Sequence, residues 1–358
     1  NESDCSPFKS EFASTVTEAQ QTEVLNLLSQ AEREIADNEH DPSQAIQTLT
    51  KATQIAPEFA EARYRLGKLL FRARKFDLAH IEFMAALNED ICPLRAVDEI
   101  TTSIRRVSEE LNVPVVDFEE SLRHQCKQER GHPSLGADYF LDHVHPTIAT
   151  NNLLALWIVD ELQQAKIIGG ERLFSHPQSQ LELDAASRRV MNRIDQRAHG
   201  VALRNLAKVL HWSGKFAEAA PRATDALELL VDDPESRYVL ADCLHHLGDD
   251  TAALAQYELL FSGPKDWSKA YLPYADLLVE HSEFARAKPY LILALVVDPA
   301  NAYTHYLLGR THLELGEYKF AVDSLIEANR IYPNEPATLK LLKEAQERLR
   351  NTAADAVE

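Results

Sequence analysis

Residues 308–333 read LGRTHLELGEYKFAVDSLIEANRIYP, and the spacing of their small and large side chains recurs upstream. A small residue follows a large one at successive steps of 34, at Ala207, Ala241, Ala275 and Gly309. A second small residue comes 12 positions after each, at Ala219, Ala253, Ala287 and Ala321. Prolines follow at Pro234, Pro299 and Pro333. Because antiparallel helices approach closely only where facing side chains are small, each unit is predicted to be a helical hairpin that proline ends.

This period resembles the tetratricopeptide repeat, whose pattern is matched by Leu308-Gly309, Leu313, Tyr318, Ala321, Ala328 and Pro333. The resemblance implies an array of four repeats over 200–334, with a capping helix and tail over 335–358. A second match, out of phase with the first, consists of Leu66-Gly67, Phe76, Ala79, Phe83 and Ala86. It implies two further repeats over 17–92. The expected fold class is mainly α, a superhelix of hairpins with a small α/β segment between its two arrays.

The segment between the arrays, residues 93–168, does not follow the repeat. Apolar residues three or four apart predict an amphipathic helix over 93–110. The run from Val113 to Phe118 is short, β-branched and apolar, which predicts a buried strand. A loop with the sequence YFLDHVHP follows at 139–146, and helical spacing resumes from Thr147 to Gln164.

The predicted strand and this loop resemble the C-terminal block of SGNH or GDSL-type hydrolases. The resemblance implies that Asp142 and His145 are two members of a Ser-His-Asp triad, in which the histidine deprotonates the serine and the aspartate orients the imidazole. Residues 1–16, with Asp4-Cys5-Ser6-Pro7, resemble the middle of such a domain. Residues 17–92 would then be an insertion, and 169–199 a linker helix. In the alternative interpretation, Asp142 only caps the next helix and His145 packs against it.

The nucleophile of this resemblance is missing from the chain. No Gly-Asp-Ser-Leu-like block occurs, and such a block would lie upstream of Asn1. We therefore expect the chain to be a fragment or processed product that is not active alone, since a general base without its nucleophile does not hydrolyse esters.

The repeat register places twelve side chains on the first helices of the C-terminal array, which line the concave groove where such scaffolds hold peptides. They are Arg204, Lys208, His211, Trp212, Tyr238, Asp242, His245, Lys269, Asp276, Tyr303, Tyr306 and Arg310. Aromatic and arginine side chains often carry binding energy at interfaces. A tyrosine on such a helix is equally compatible with packing against the next repeat.

Composition narrows the function classes. The net charge of -19 repels phosphate backbones, so nucleic acid is not expected as a partner. The 4 cysteines form no C-x-x-C pair or zinc-type cluster, so we expect no metal site, no disulfide framework and no cofactor. No apolar run is long enough to cross a bilayer, and so no membrane span is expected. The compartment stays open, with an extracytoplasmic parent protein as one alternative.

Three functions remain from the sequence. The first is a protein-interaction scaffold with a protein or peptide ligand in the groove. The second is the C-terminal part of a serine esterase, acyl hydrolase or acyltransferase whose serine lies upstream. The third is self-association through the arrays.

Overall fold

The computed structural model describes residues 1–38, 41–169, 177–263 and 267–355. Its described residues form 17 α-helices and one short 3-10 helix, which fall into two compact units, Asn1–Arg193 and Ile194–Glu358. The mainly helical fold predicted from the sequence is confirmed. Across the described ranges, no helix combines the length and apolarity needed to cross a membrane.

The first unit contains eight helices. They are α1 (Glu18–Asp37), α2 (Ser43–Ile55), α3 (Ala60–Arg72), α4 (Phe76–Asn88), α5 (Asp98–Leu111), α6 (Phe118–Arg130), α7 (Ile148–Gln164) and α8 (Pro177–Met191). The first four pack as two hairpins, α1 on α2 and α3 on α4. Helix α8 lies within the predicted linker of 169–199, of which residues 170–176 are outside the described ranges.

The second unit contains four hairpins and a final helix. Its helices are α9 (Gln196–Trp212), α10 (Phe216–Leu229), α11 (Pro234–His246), α12 (Asp250–Ser262), α13 (Tyr271–Glu280), α14 (Phe284–Val297), α15 (Ala302–Glu314), α16 (Tyr318–Ile331) and α17 (Pro336–Asp355). The 3-10 helix Ser268–Ala270 leads into α13. Helix α17 packs on α16 at the end of the predicted array, and residues 356–358 of the predicted tail lie outside the described ranges.

The small residues of the repeat lie where the helices of a hairpin touch. All seven alanines of the two registers are 0% exposed: Ala207, Ala219, Ala241, Ala253, Ala275, Ala287 and Ala321. At Gly309 the approach is closer still, because a Cβ there would lie 2.5 Å from Cγ of Leu325 on α16. Small side chains therefore set the distance between the paired helices, as the sequence predicts.

The turn of each hairpin in the second unit contains a residue with left-handed backbone. Its φ is +75° at Gly214, +83° at Gly248, +60° at Ser282 and +76° at Gly316, again in steps of 34. Glycine adopts this conformation without a steric cost, which explains its recurrence. Ser282 is the exception, since an L side chain is strained there.

The strand predicted from Val113 to Phe118 is wrong. Residues 113–117 have no regular secondary structure, α6 begins at Phe118, and the described residues contain no strand beyond an isolated bridge between Phe140 and Pro146. The physical reason is that a strand needs a neighbour for its backbone hydrogen bonds. Val113 is 54% exposed instead of buried. The α/β segment expected between the arrays is therefore helix and coil.

Candidate functional site

The first helices of the hairpins in the second unit lie side by side. Helix α9 contacts α11, α13 contacts α15, and α15 contacts α17. Along these helices, nine of the twelve side chains predicted for a groove come together in three groups.

The first group is basic, and acidic residues of the next hairpin neutralise it. Arg204 Nη1 donates to Oδ1 of Asp233 at 3.2 Å, and Lys208 Nζ lies 2.7 Å from Oε1 of Glu235. Both carboxylates belong to the start of the second hairpin, where Asp233 also caps α11. These two bases therefore carry little free positive charge. The sequence analysis identified these two bases but did not predict which carboxylates pair with them.

The second group is a network of histidines and aspartates. His211 Nε2 donates to Oδ2 of Asp242 at 2.6 Å. Asp250, at the start of α12, accepts from Nδ1 of His245 at 2.8 Å and from Nε2 of His281 at 2.9 Å. Burial opposes the charged form of His245, but the hydrogen bond with Asp250 outweighs it and raises the pKa of His245. Of the three predicted groove residues here, His211 and Asp242 therefore bond to each other, and His245 bonds to Asp250.

The third group lines a cavity of about 810 Å³ between α13, α15 and α17. We call it the Tyr303 groove. It is lined by the predicted residues Asp276, Tyr303, Tyr306 and Arg310, and also by Glu280, Asp298, Tyr332 and Glu335. Its floor is apolar and includes Leu307, Ala328 and Ile331. An apolar cavity of this size with a few convergent polar groups is typical of a ligand site.

Asp276 and Tyr303 form the polar centre of the Tyr303 groove. The Tyr303 hydroxyl lies 2.9 Å and 3.0 Å from the two carboxylate oxygens of Asp276, and it donates to them. Burial raises the pKa of Asp276 even though this hydrogen bond works in the other direction. The rings of Tyr303 and Tyr306 stack with centroids 6.1 Å apart, and the Arg310 guanidinium lies 6.0 Å from the ring centroid of Phe284.

The remaining predicted groove residues lie elsewhere. Trp212 is 88% exposed at the end of α9. Tyr238 packs half-buried against the core of the second unit. Lys269 on the 3-10 helix places Nζ 5.6 Å from the ring centroid of Trp267. None of the three lines the Tyr303 groove.

The two residues predicted as a catalytic pair do meet. His145 Nδ1 lies 2.7 Å from Oδ2 of Asp142, whose other oxygen accepts the backbone N–H groups of Val144 at 2.9 Å and His145 at 2.8 Å. Burial of Asp142 opposes its charge, but these hydrogen bonds outweigh it and lower the pKa of Asp142. The His145 side chain is 74% exposed. No hydrogen bond to its Nε2 is present among the described residues, and Ser134, the serine nearest in sequence, is buried.

Four charged or aromatic residues that line the Tyr303 groove were not predicted from the sequence. Glu280 ends α13, Asp298 and Glu335 lie in connections between hairpins, and Tyr332 follows α16. Glu280 lies one turn after Asp276 on α13, so the helix register could have found it, whereas the other three lie outside the first helices, where the register does not apply. The 34-residue repeat could have indicated Asp298 and Glu335, since each connection between hairpins ends near the start of a helix that lines the groove.

Comparison with protein families identifies the repeats. Models of the tetratricopeptide repeat match residues 205–266, 274–336 and 38–90. The chain therefore contains tetratricopeptide repeats in both units, as predicted. The comparison with curated proteins gave no match. None of these findings supports the predicted hydrolase segment, which stays a prediction.

Solved structures similar to part of the chain include several of MamA. MamA from Desulfovibrio magneticus RS-1 is 19% identical over 45% of this chain and 95% of that chain, with a TM-score of 0.37. MamA of MSR-1 is 20% identical over 42% of this chain and 87% of that chain, with a TM-score of 0.39. MamA of AMB-1 is 19% identical over 42% and 88%, with a TM-score of 0.40. Scores this low carry no argument about function.

Proposed function

We propose that this chain of tetratricopeptide repeats is a protein-interaction scaffold, and that its second unit holds a peptide segment of a partner protein in the Tyr303 groove. The observation that carries the proposal is the cavity of about 810 Å³ that four of the predicted groove residues line together.

The chemistry of the groove suits a peptide. Tyr303 is 49% exposed and Tyr332 is 65% exposed, so their rings offer apolar faces and hydroxyl groups to a ligand. Arg310 adds a guanidinium that can bind backbone carbonyl groups. In contrast, Arg204 and Lys208 already pair with carboxylates of the same unit. Binding energy is therefore expected at the α15 end of the array.

Peptide selection against the full chain tests this proposal. Phage-displayed random peptides are enriched on the wild-type chain, and the binding of enriched peptides is then measured by fluorescence anisotropy. Tyr306→Ala should weaken binding about tenfold or more, because truncation of an interface aromatic commonly costs about 2 kcal/mol. Phe320→Ala is the matched control, since Phe320 is 59% exposed on α16 and does not line the groove. If the enriched peptides bind the Tyr306→Ala variant as tightly as they bind wild type, groove binding is refuted.

A second candidate function is that of an incomplete serine hydrolase, and the Asp142–His145 pair favours it. The pair has the geometry of a base and its orienting carboxylate, with Nε2 of an exposed imidazole left for a serine hydroxyl. Glu2 N donates to the Leu135 carbonyl at 2.9 Å, and Ala137 N donates to Asp4 at 2.9 Å. The start segment therefore touches the loop before the pair, as an inserted 17–92 requires.

The surface of α5 is a further support for this candidate. Four aliphatic side chains on one face of the helix are exposed: Ile100, Ile104, Val107 and Leu111. They line an open cavity of about 660 Å³ with Val113 and Val115. Helix α5 has no buried residue. An exposed apolar face of this kind marks an interaction surface, and in this candidate function the upstream part of the hydrolase domain would cover it.

A fluorophosphonate probe separates the two candidates. This chain alone should stay unlabelled, because the resemblance places the serine upstream of Asn1. A longer parent protein should be labelled on a serine, and His145→Ala should suppress the labelling because the base is lost. Strong labelling of the present chain would refute the prediction that it contains no nucleophilic serine. Self-association stays a prediction that sedimentation of the chain tests.

A further inference from the structure

The Tyr303 groove is acidic. Four carboxylates line it, those of Asp276, Glu280, Asp298 and Glu335, against the single guanidinium of Arg310. Asp298 and Glu335 accept backbone N–H groups at the start of the next helices, from Ala300 at 3.2 Å and Thr338 at 2.8 Å. Because a cleft with one sign of charge attracts ligands of the opposite sign, the groove favours a cation.

Asp276 is the carboxylate that most needs a cationic partner. It is half-buried and forms no ion pair within 4.0 Å among the described residues, so His245 and Arg310 favour its charge only from a greater distance. Within the described part of the chain, the hydroxyl of Tyr303 is its one hydrogen-bond donor. An ionised carboxylate can accept about four hydrogen bonds, so acceptor capacity stays open on the groove side. Burial of an unpaired charge is costly, and an incoming ammonium or guanidinium would relieve that cost.

The rings beside Asp276 suit the stem of a long cationic side chain. Tyr303 and Tyr306 stack nearly parallel, at an interplanar angle of 20°, and both face the cavity. The methylene groups of lysine or arginine bury well against such rings while the charged head reaches a polar group. The rings also attract the cation itself through their π faces.

We propose that the Tyr303 groove selects a peptide segment that carries a lysine or arginine, whose charged head pairs with Asp276 while its stem lies against Tyr303 and Tyr306. This inference rests on the proposed function, because it names the partner of the same groove. The partner is a basic peptide, in spite of the two bases, Arg204 and Lys208, at the other end of the array.

A purely structural role of Asp276 makes a different prediction. If the Asp276–Tyr303 hydrogen bond only ties two hairpins together, its weakening should lower stability. However, a carboxyl whose pKa is raised by folding destabilises the fold once pH exceeds that pKa. The amide of Asp276→Asn still accepts from Tyr303 and carries no charge. The variant should therefore keep or gain thermal stability while losing affinity for a cation.

The experiment compares peptides selected on the wild-type chain with those selected on Asp276→Asn. Wild-type peptides should share a lysine or arginine, and the affinity of the best one should fall about tenfold on Asp276→Asn. Asp323→Asn is the matched control, because Asp323 is an exposed carboxylate on α16 outside the groove. Replacement of the peptide's own lysine by glutamine should weaken binding to wild type equally, and should cost little more on Asp276→Asn.

The possible outcomes distinguish the preference for a cationic side chain from peptide binding in the groove itself. Peptides that need Tyr306 but show no excess of lysine or arginine would overturn the cation preference and leave groove binding intact. Equal losses from the peptide's lysine on wild type and on Asp276→Asn would also overturn it. If no selected peptide depends on Tyr306, both proposals fail. A loss of stability in Asp276→Asn, with peptide binding unchanged, would assign the pair a structural role only.

Discussion

The close approach of α15 and α16 at Gly309 makes this glycine sensitive to one added methyl group. A Cβ at this position would lie 2.5 Å from Cγ, 2.9 Å from Cδ2 and 3.3 Å from Cδ1 of Leu325. Leu325 is 0% exposed. The contact of 2.5 Å involves the branch point of its side chain, so a rotation of the terminal methyl groups alone cannot relieve it. Gly309→Ala must therefore push α15 and α16 apart.

Two opposing effects set the magnitude. Overpacking a core by a methyl group costs roughly 1–3 kcal/mol. Replacing glycine by alanine inside a helix stabilises it by about 1 kcal/mol. We expect a net destabilisation of about 1 kcal/mol, which corresponds to roughly fivefold faster amide exchange where exchange reports opening.

Hydrogen exchange of the full chain, read on peptides from α15 and α16, measures this change directly. Peptides from α1 and α2, which belong to the other unit, provide the internal reference. A Leu325→Ala background removes the obstructing side chain. There, Gly309→Ala should instead slow exchange, because only the gain in helix propensity is left. Slower exchange for Gly309→Ala in the wild-type background would refute the idea that this glycine is required for close packing.

Ser282→Gly should stabilise the third hairpin by about 0.5–1 kcal/mol and so slow its amide exchange, because φ of +60° strains serine but not glycine. Faster exchange would contradict this. Glu2→Gln should destabilise the first unit by roughly 3 kcal/mol at neutral pH, because the buried carboxylate pairs with Arg123 at 2.6 Å. Folding lowers the pKa of Glu2 from 4.5 to about 2: burial raises it, but hydrogen bonds to the carboxylate outweigh burial. Denaturant unfolding should therefore show that wild type loses this advantage as pH falls from 4.5 towards 2, whereas the variant shows no such loss. By NMR titration, the pKa of His245 should lie above 6.5 and fall in Asp250→Asn, and the pair's contribution to stability should be lost as pH rises through that pKa. An unchanged His245 titration would show that Asp250 does not hold its proton.

The repeats could be predicted because their contacts are local and periodic. Ala253 and Ala287 are recognisable in the sequence since the same small residue recurs where two helices must touch, and the structure buries both completely. The period of the turns was also present. It was harder to see, because Ser282 and Arg74, at φ of +60° and +58°, stand where glycine would mark it.

The segment of 93–168 shows why a pattern alone can mislead. The residues from Val113 to Phe118 have strand-like composition, but β propensity mostly measures fit to a half-buried sheet surface. With no neighbouring strand among the described residues, the segment is coil and Val113 is exposed. The amphipathic pattern was sound, since α5 forms as Asp98–Leu111. The spacing of apolar residues predicts that α5 has an apolar face, but it does not predict what covers that face.

The groove could be predicted only in part, for a related reason. Helix register assigned Asp276, Tyr303, Tyr306 and Arg310 to one face, because side chains three or four apart share a face, and the four line one cavity. Whether a charged residue on that face is free depends on residues far along the chain. The pairing of Lys208 with Glu235 is one such case, and it is set by how adjacent hairpins pack.

The constant step of 34 between the left-handed turns has a consequence for how such a chain can change its length. Each turn, each alanine contact and each groove position keeps its register when a whole hairpin is added or removed, because the extensive contacts among the described helices of this unit lie within a hairpin or between adjacent hairpins. Duplication of one module between Gly248 and Ser282 would shift everything beyond it by one complete unit. A deletion of fewer residues would turn alanines away from their contacts. This array can therefore lengthen or shorten without loss of its contacts only by whole hairpins.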